Sequence, residues 1–117
     1  MFVDSSTLVI VSSYSGNTEE TIASFEEAKR RGCKILIATT GGKIGQAAIG
    51  GNYPHVILPG GFEPRAALGF SFGPILQLLQ TLGFIPNQNQ IIADTCAFLE
   101  ENRKKMVNQS GYDVRAN

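Results

Sequence analysis

Hydrophobic runs and breakers alternate along this chain, and the period changes at each polar turn. Residues 7–11, TLVIV, form a short, β-branched, continuously apolar run, the pattern of a parallel-sheet strand covered on both faces. After the polar stretch 12–17 the spacing becomes helical. Thr18, Ile22, Phe25 and Ala28 share one face, Glu19, Glu20, Glu26 and Lys29 fall largely elsewhere, and Gly32 is placed to stop the helix. Residues 34–38 make a second apolar run, a short helix follows near 43–49, and residues 55–58 make a third run. A loop over 59–64 leads into a long apolar helix from about Pro64, which Gly73-Pro74 is expected to interrupt. A last helix is expected from about Gln90 to Met106, with Ile91, Ile92, Thr95, Phe98, Leu99 and Met106 on one side. Residues 108–117 read as a tail.

Strand and helix in strict alternation, joined by short loops, predict parallel strands with right-handed crossovers, an α/β layered fold. In such sheets, sites gather at the carboxyl ends of the strands. Here those ends are residues 12–18, 39–43 and 59–65, each of which carries Gly, Ser or Thr in close succession. Length changes little in this picture: 117 residues without an internal linker suit one small domain with one core. Ten Lys/Arg balance ten Asp/Glu, so no basic field for nucleic acid exists. Cys33 and Cys96 form no CxxC or Cys/His cluster, which suggests neither a zinc site nor a disulfide framework and fits a reduced, cytoplasmic setting. The N-terminus has no basic start or long apolar core of a leader peptide. From Ala66 to Ala93 no side chain is charged, as in a membrane span, yet Gly69, Gly73, Pro74 and Pro86 break the stretch, and a buried or interface helix is the expectation.

The candidate chemistry begins at Ser12-Ser13-Tyr14-Ser15-Gly16-Asn17-Thr18, where a strand passes into a helix N-terminus. Free N–H groups of a first turn and the positive end of the helix dipole bind phosphate. Gly16 lets the backbone come close, and Ser13, Ser15 and Thr18 add neutral hydroxyls, while the nucleotide pattern GxxxxGK[ST] is absent. The same residues could serve only to cap the helix, and local pattern leaves the two readings open. His55, the only histidine, begins a strand at the end away from the expected site, and Glu19 and Glu20 suit the helix dipole; all three read as structural.

SSYSGNTEET resembles the SxSGxT phosphate motif of sugar isomerase (SIS) domains. The segments TTGGKI at 39–44 and PGGFEPRAALG at 59–69, with the apolar helix after them, are similar to the bifunctional phosphoglucose/phosphomannose isomerase family. The resemblance covers residues 1–107 as part of an N-terminal SIS domain, with 108–117 as a tail or the start of a linker. It implies a three-layer parallel sheet flanked by helices, in flavodoxin-like order with the first strands missing. It further implies that Ser13, Ser15, Gly16, Asn17 and Thr18 hold the phosphate of glucose 6-phosphate, mannose 6-phosphate or fructose 6-phosphate. Arg65 is expected to stabilise the enediolate as the catalytic cation, with Thr40, Gly41 and Lys43 as further substrate contacts and no cofactor or metal. A surface ion pair of Arg65 with Glu63 or Glu19 is the competing expectation. Relatives draw another serine from an upstream GxGGS-like loop, and their glutamate base, histidine and lysine from a second domain. This chain is therefore expected to be incomplete alone, with an open apolar edge on its first strand, and to work as a homodimer or complemented by the missing domain. The alternatives are a non-enzymatic sugar-phosphate sensor and a dimerisation domain, with neither nucleic acid nor membrane as a partner.

Overall fold

A computed structural model describes residues 3–110. They fall into two compact units, one reaching Phe84 and the other starting at Ile85. In the first unit three parallel strands, β1 (Leu8–Ser13), β2 (Lys34–Thr39) and β3 (His55–Ile57), lie in the order β1-β2-β3. Helix α1 (Glu19–Arg30) joins β1 to β2, and α2 (Gly42–Gly50) joins β2 to β3. A 3₁₀ turn at Pro64–Ala66 leads into α3 (Leu68–Thr81). The second unit holds one helix, α4 (Asn89–Ser110). This is the expected α/β arrangement, a parallel sheet flanked by helices as in SIS and flavodoxin-like domains.

Alternation along β2 divides the layers. Ile35 and Ile37 join Val11 of β1, Phe25 and Ala28 of α1, and Ile44 and Ala48 of α2 in one buried cluster. Leu36 and Ala38, also fully buried, point to the other face, where α3 lies against β2 and β3. Phe25 fills the centre of the first cluster, 1% exposed and edge-on to Tyr53 with ring centroids 5.6 Å apart. The central strand is buried on both faces from Ile35 to Thr39, the cover that the sequence pattern predicts for the first strand. β1 differs from that expectation: Val11 and Ser13 are buried, but Ile10 on the opposite face is 42% exposed. Among the described residues β1 is an edge strand, paired only with β2, and α3, which covers that face, packs on β2 and β3.

Two helices depart from their expected form. Gly73-Pro74 does not interrupt the apolar helix, because α3 runs unbroken from Leu68 to Thr81 with Pro74 inside it. Pro74 removes one N–H from the ladder, but Gly73 offers no Cβ to collide with the proline ring, and the helix passes through. No residue of α3 is buried, so it is a half-covered layer rather than a buried helix. Leu68 and Phe72 stand 74% and 63% exposed. Helix α4 extends to Ser110, beyond the expected end at Met106, and takes in the first residues assigned to a tail; residues 111–117 lie outside those described. Its Ile91, Phe98, Leu99 and Met106 are exposed. No helix among the described residues is long and apolar enough to cross a membrane.

The C-terminal turn of α1 carries a charge cluster with a pH signature. Glu27 accepts from Arg30 Nε at 2.9 Å and Nη2 at 2.6 Å, and from Arg31 Nε at 2.5 Å. The Arg30 hydrogen bonds first, then that of Arg31, lower its carboxyl pKa from the ordinary 4.5 to about 2. A depressed folded-state pKa stabilises fully above the ordinary value, and the contribution is lost as pH falls toward about 2. Glu27→Gln is therefore expected to flatten the fall of melting temperature between pH 4.5 and 2. The effect should be small and shrink in salt, because the pair is solvated. Identical pH slopes for variant and parent would remove Glu27 from the acid response.

Candidate functional site

The strand register sets the site. Ser13, Thr39 and Ile57 are cross-strand neighbours, so the loops after β1, β2 and β3 leave the sheet at one level. These loops, with the element ends that border them, carry every residue singled out from the sequence as binding or catalytic. The carboxyl-end convergence expected from the fold class is present.

The loop after β1 folds over the start of α1. Ser13, 6% exposed, accepts the Gly16 N–H at 3.1 Å, and its Oγ lies 3.3 Å from Thr18 Oγ1. Ser15 Oγ accepts the Asn17 N–H at 3.2 Å and is otherwise exposed. Thr18 is the N-cap residue of α1 by position, yet its side chain makes no capping bond. Its hydroxyl is turned to Ser13 instead, and the first internal helix bond is Ile22 N–H to Thr18 O. Simple capping, the competing reading of this motif, is thus not how its hydroxyls are used. The first-turn N–H groups, flanked by the exposed Ser15 and Thr18, form an arrangement that can receive an anion.

The loop after β2 locks against it, backbone to backbone. Ile44 N–H donates to Gly16 O at 3.0 Å, and Lys43 N–H to Asn17 Oδ1 at 3.0 Å. Gly16, at φ 71°, lies so close that a Cβ there would sit 1.9 Å from Gly41 O. Thr39, fully buried, takes part with its hydroxyl, which donates to Gly41 O at 3.1 Å. Thr40 donates to Tyr14 O through both N–H, at 3.1 Å, and Oγ1, at 2.5 Å. Asn17, Thr40 and Gly41 thereby serve to join the two loops. The Lys43 side chain is exposed.

The third loop is tied to the first by one side chain. Tyr14 Oη donates to Pro59 O at 3.1 Å and accepts from Phe62 N–H at 3.0 Å. Three residues on, Arg65 lies exposed in the 3₁₀ turn and makes no ion pair among the described residues, so the expected competing pairs with Glu63 or Glu19 are not formed. His55 opens β3, its Nδ1 2.7 Å from Tyr53 O, at the end of the strand away from these loops. Glu19 and Glu20 are exposed on the first turn of α1. No His/Cys/Asp/Glu group able to hold a metal occurs among the described residues. Tyr14 and Thr39 were not separately identifiable from sequence. A lone aromatic inside a Ser/Gly/Asn turn was the one available sign of the first, and Thr39 read only as the end of a strand.

No family model matches the chain. Curated proteins do. A bifunctional phosphoglucose/phosphomannose isomerase of Caldicellulosiruptor bescii is 46% identical over 104 residues, 89% of this chain and 31% of that protein. One from Thermoplasma acidophilum is 35% identical over 100 residues, 86% of this chain and 29% of that protein. A D-glucosamine-6-phosphate 4-epimerase of Sulfolobus acidocaldarius is 40% identical over 78 residues, 66% of this chain and 26% of that protein. The chain spans less than a third of the length of these relatives. By this similarity it corresponds to part of a bifunctional phosphoglucose/phosphomannose isomerase, and it belongs to that family.

Proposed function

We propose that the chain is the sugar-phosphate-binding part of an aldose–ketose isomerase that interconverts glucose 6-phosphate or mannose 6-phosphate with fructose 6-phosphate. The observation that carries this reading is Thr18, an N-cap residue whose hydroxyl turns to Ser13 and leaves the α1 terminus without a side-chain cap. Ser13, Ser15, Gly16, Asn17 and Thr18 are the phosphate anchor. Thr40, Gly41 and Lys43 border the substrate, and Arg65 is the cation at its reacting end. Stabilisation there speeds reaction only where negative charge grows, as on the oxygens of an enediolate. We assign no base among Glu19, Glu20 and His55, so the chain by itself binds without turnover. The whole reaction, and a cytoplasmic setting for it, rest on this reading.

Titration with fructose 6-phosphate, followed at the Ser15 and Thr18 amides and paired with a coupled isomerase assay, tests the proposal. Saturable shifts without turnover are expected. Turnover by this chain would overturn the absence of a base, and silence toward every hexose phosphate would overturn the binding role. A second copy is the proposed partner, because α3 exposes Leu68 and Phe72 on a helix without charge. Sedimentation equilibrium of the same sample decides that point, a monomer at tens of micromolar ruling it out.

A further inference from the structure

Tyr14 sits at the one place where all three strand-end loops meet. Its carbonyl oxygen takes two hydrogen bonds from Thr40 of the second loop. Its phenol reaches the third loop, donating to Pro59 O and accepting from Phe62 N–H. Those two groups are positions i and i+3 of Pro59-Gly60-Gly61-Phe62, whose third residue, Gly61, has φ 89°. The segment bends at Gly61 and Phe62, and its two ends make no hydrogen bond to each other. Here the phenol stands between them, supplying the donor that Pro59 O requires and the acceptor that Phe62 N–H requires. Only a group that donates and accepts at one oxygen can do so. Phe62 in turn stacks on Phe70 of α3, with centroids 4.8 Å apart, so the far side of the turn is also held.

We propose that Tyr14 is a positioning residue that holds the Arg65 loop against the phosphate loop, so that both ends of a bound hexose phosphate are gripped by one rigid unit. This rests on the sugar-phosphate reading for its ligand, though not for its geometry. Tyr14 touches neither phosphate nor reacting carbon in this scheme. It acts through Phe62, three residues before Arg65. Small displacements of an electrostatic group from a reacting centre are costly, which gives such a tie its value.

The test compares the chain with Tyr14→Phe, which removes one oxygen and keeps the backbone bonds to Thr40. Inorganic phosphate is the probe, since it engages the anchor and is too small to reach the third loop. In the parent, phosphate should shift the Ser15 and Thr18 amides and, through the phenol, the Phe62 amide as well. In Tyr14→Phe the first two responses should persist at an affinity within about threefold, and the Phe62 response should vanish. Without ligand, the Phe62 amide of the variant should exchange with solvent roughly three- to tenfold faster, as expected for one lost hydrogen bond. A Phe62 response or exchange rate unchanged by the substitution overturns the role given to Tyr14. So does equal loss of all three responses, the mark of a general structural defect. If phosphate moves nothing in the parent, the anchor reading falls, while the ligand-free exchange of Phe62 still decides the tie.

Discussion

Gly16→Ala is expected to unfold the phosphate loop and to lower the melting temperature by on the order of 10–20 °C. Two costs combine. The residue sits at φ 71°, in the left-handed region, where a Cβ costs about 1–2 kcal/mol. The new methyl carbon would also lie 1.9 Å from Gly41 O and 2.7 Å from Thr39 Oγ1. Gly41 O is backbone, so no rotamer change relieves the contact and the first two loops must separate. Separation breaks the Ile44 N–H to Gly16 O bond and exposes the buried Ser13 hydroxyl with its Gly16 partner. Together these place the loss at roughly 3 kcal/mol or more, in the tail of single-residue effects. For a unit of this size each kcal/mol moves the midpoint by about 4–8 °C. Gly60→Ala is the control, because no atom lies within 4 Å of a Cβ built there. A Gly16→Ala protein melting within a few degrees of its Gly60→Ala counterpart would show that the loops are not held together as described.

Arg65→Ala is expected to behave in the opposite way, with negligible cost to stability and a large cost to chemistry. The side chain is exposed and forms no ion pair among the described residues, so its removal should change folding by less than about 0.5 kcal/mol. In a full-length relative carrying the same loop, turnover should fall by roughly 10²- to 10³-fold, the range for losing one preorganised charge-stabilising group. KM should change little if, as proposed, Arg65 acts on the charge that grows during reaction and the anchor holds the phosphate. Steady-state kinetics on parent and variant separate the possibilities. A raised KM with unchanged kcat would make Arg65 a binding group only.

What sequence could and could not disclose follows from how local each determinant is. The apolar run at residues 34–38 announced a strand, and β2 is that strand; cover on both faces was expected of residues 7–11 instead, and it is β2 that has it. The SYSGNT turn announced a site through residue types adjacent in sequence. The role of Thr18 was undecidable from the same letters, because a capping threonine and one turned to Ser13 differ by a side-chain rotation. Pro74 misled for another reason: part of its usual effect is a clash with the preceding Cβ, which Gly73 lacks. The tie from Tyr14 to Phe62 spans 48 residues and depends on strand register, which no local pattern encodes. The same holds for Thr39, whose hydroxyl matters only because the Gly41 carbonyl folds back over it.

The meeting of the first two loops through backbone atoms has a consequence for how such a protein can change over time. Where main chain rests on main chain, as at Gly16 against Gly41 and at Gly42 against Ser15 O, no side chain can be introduced to retune the fit. Positions 16 and 42 are closed to gradual modification. Gly60 and Gly61 face open space, although the φ of 89° at Gly61 still taxes larger residues there. Change at the third loop is freer, because new side chains there meet no main chain. A directed-evolution library spread over residues 60 and 62–66 would sample shapes that fold; one spread over 16 and 42 would mostly sample chains that do not.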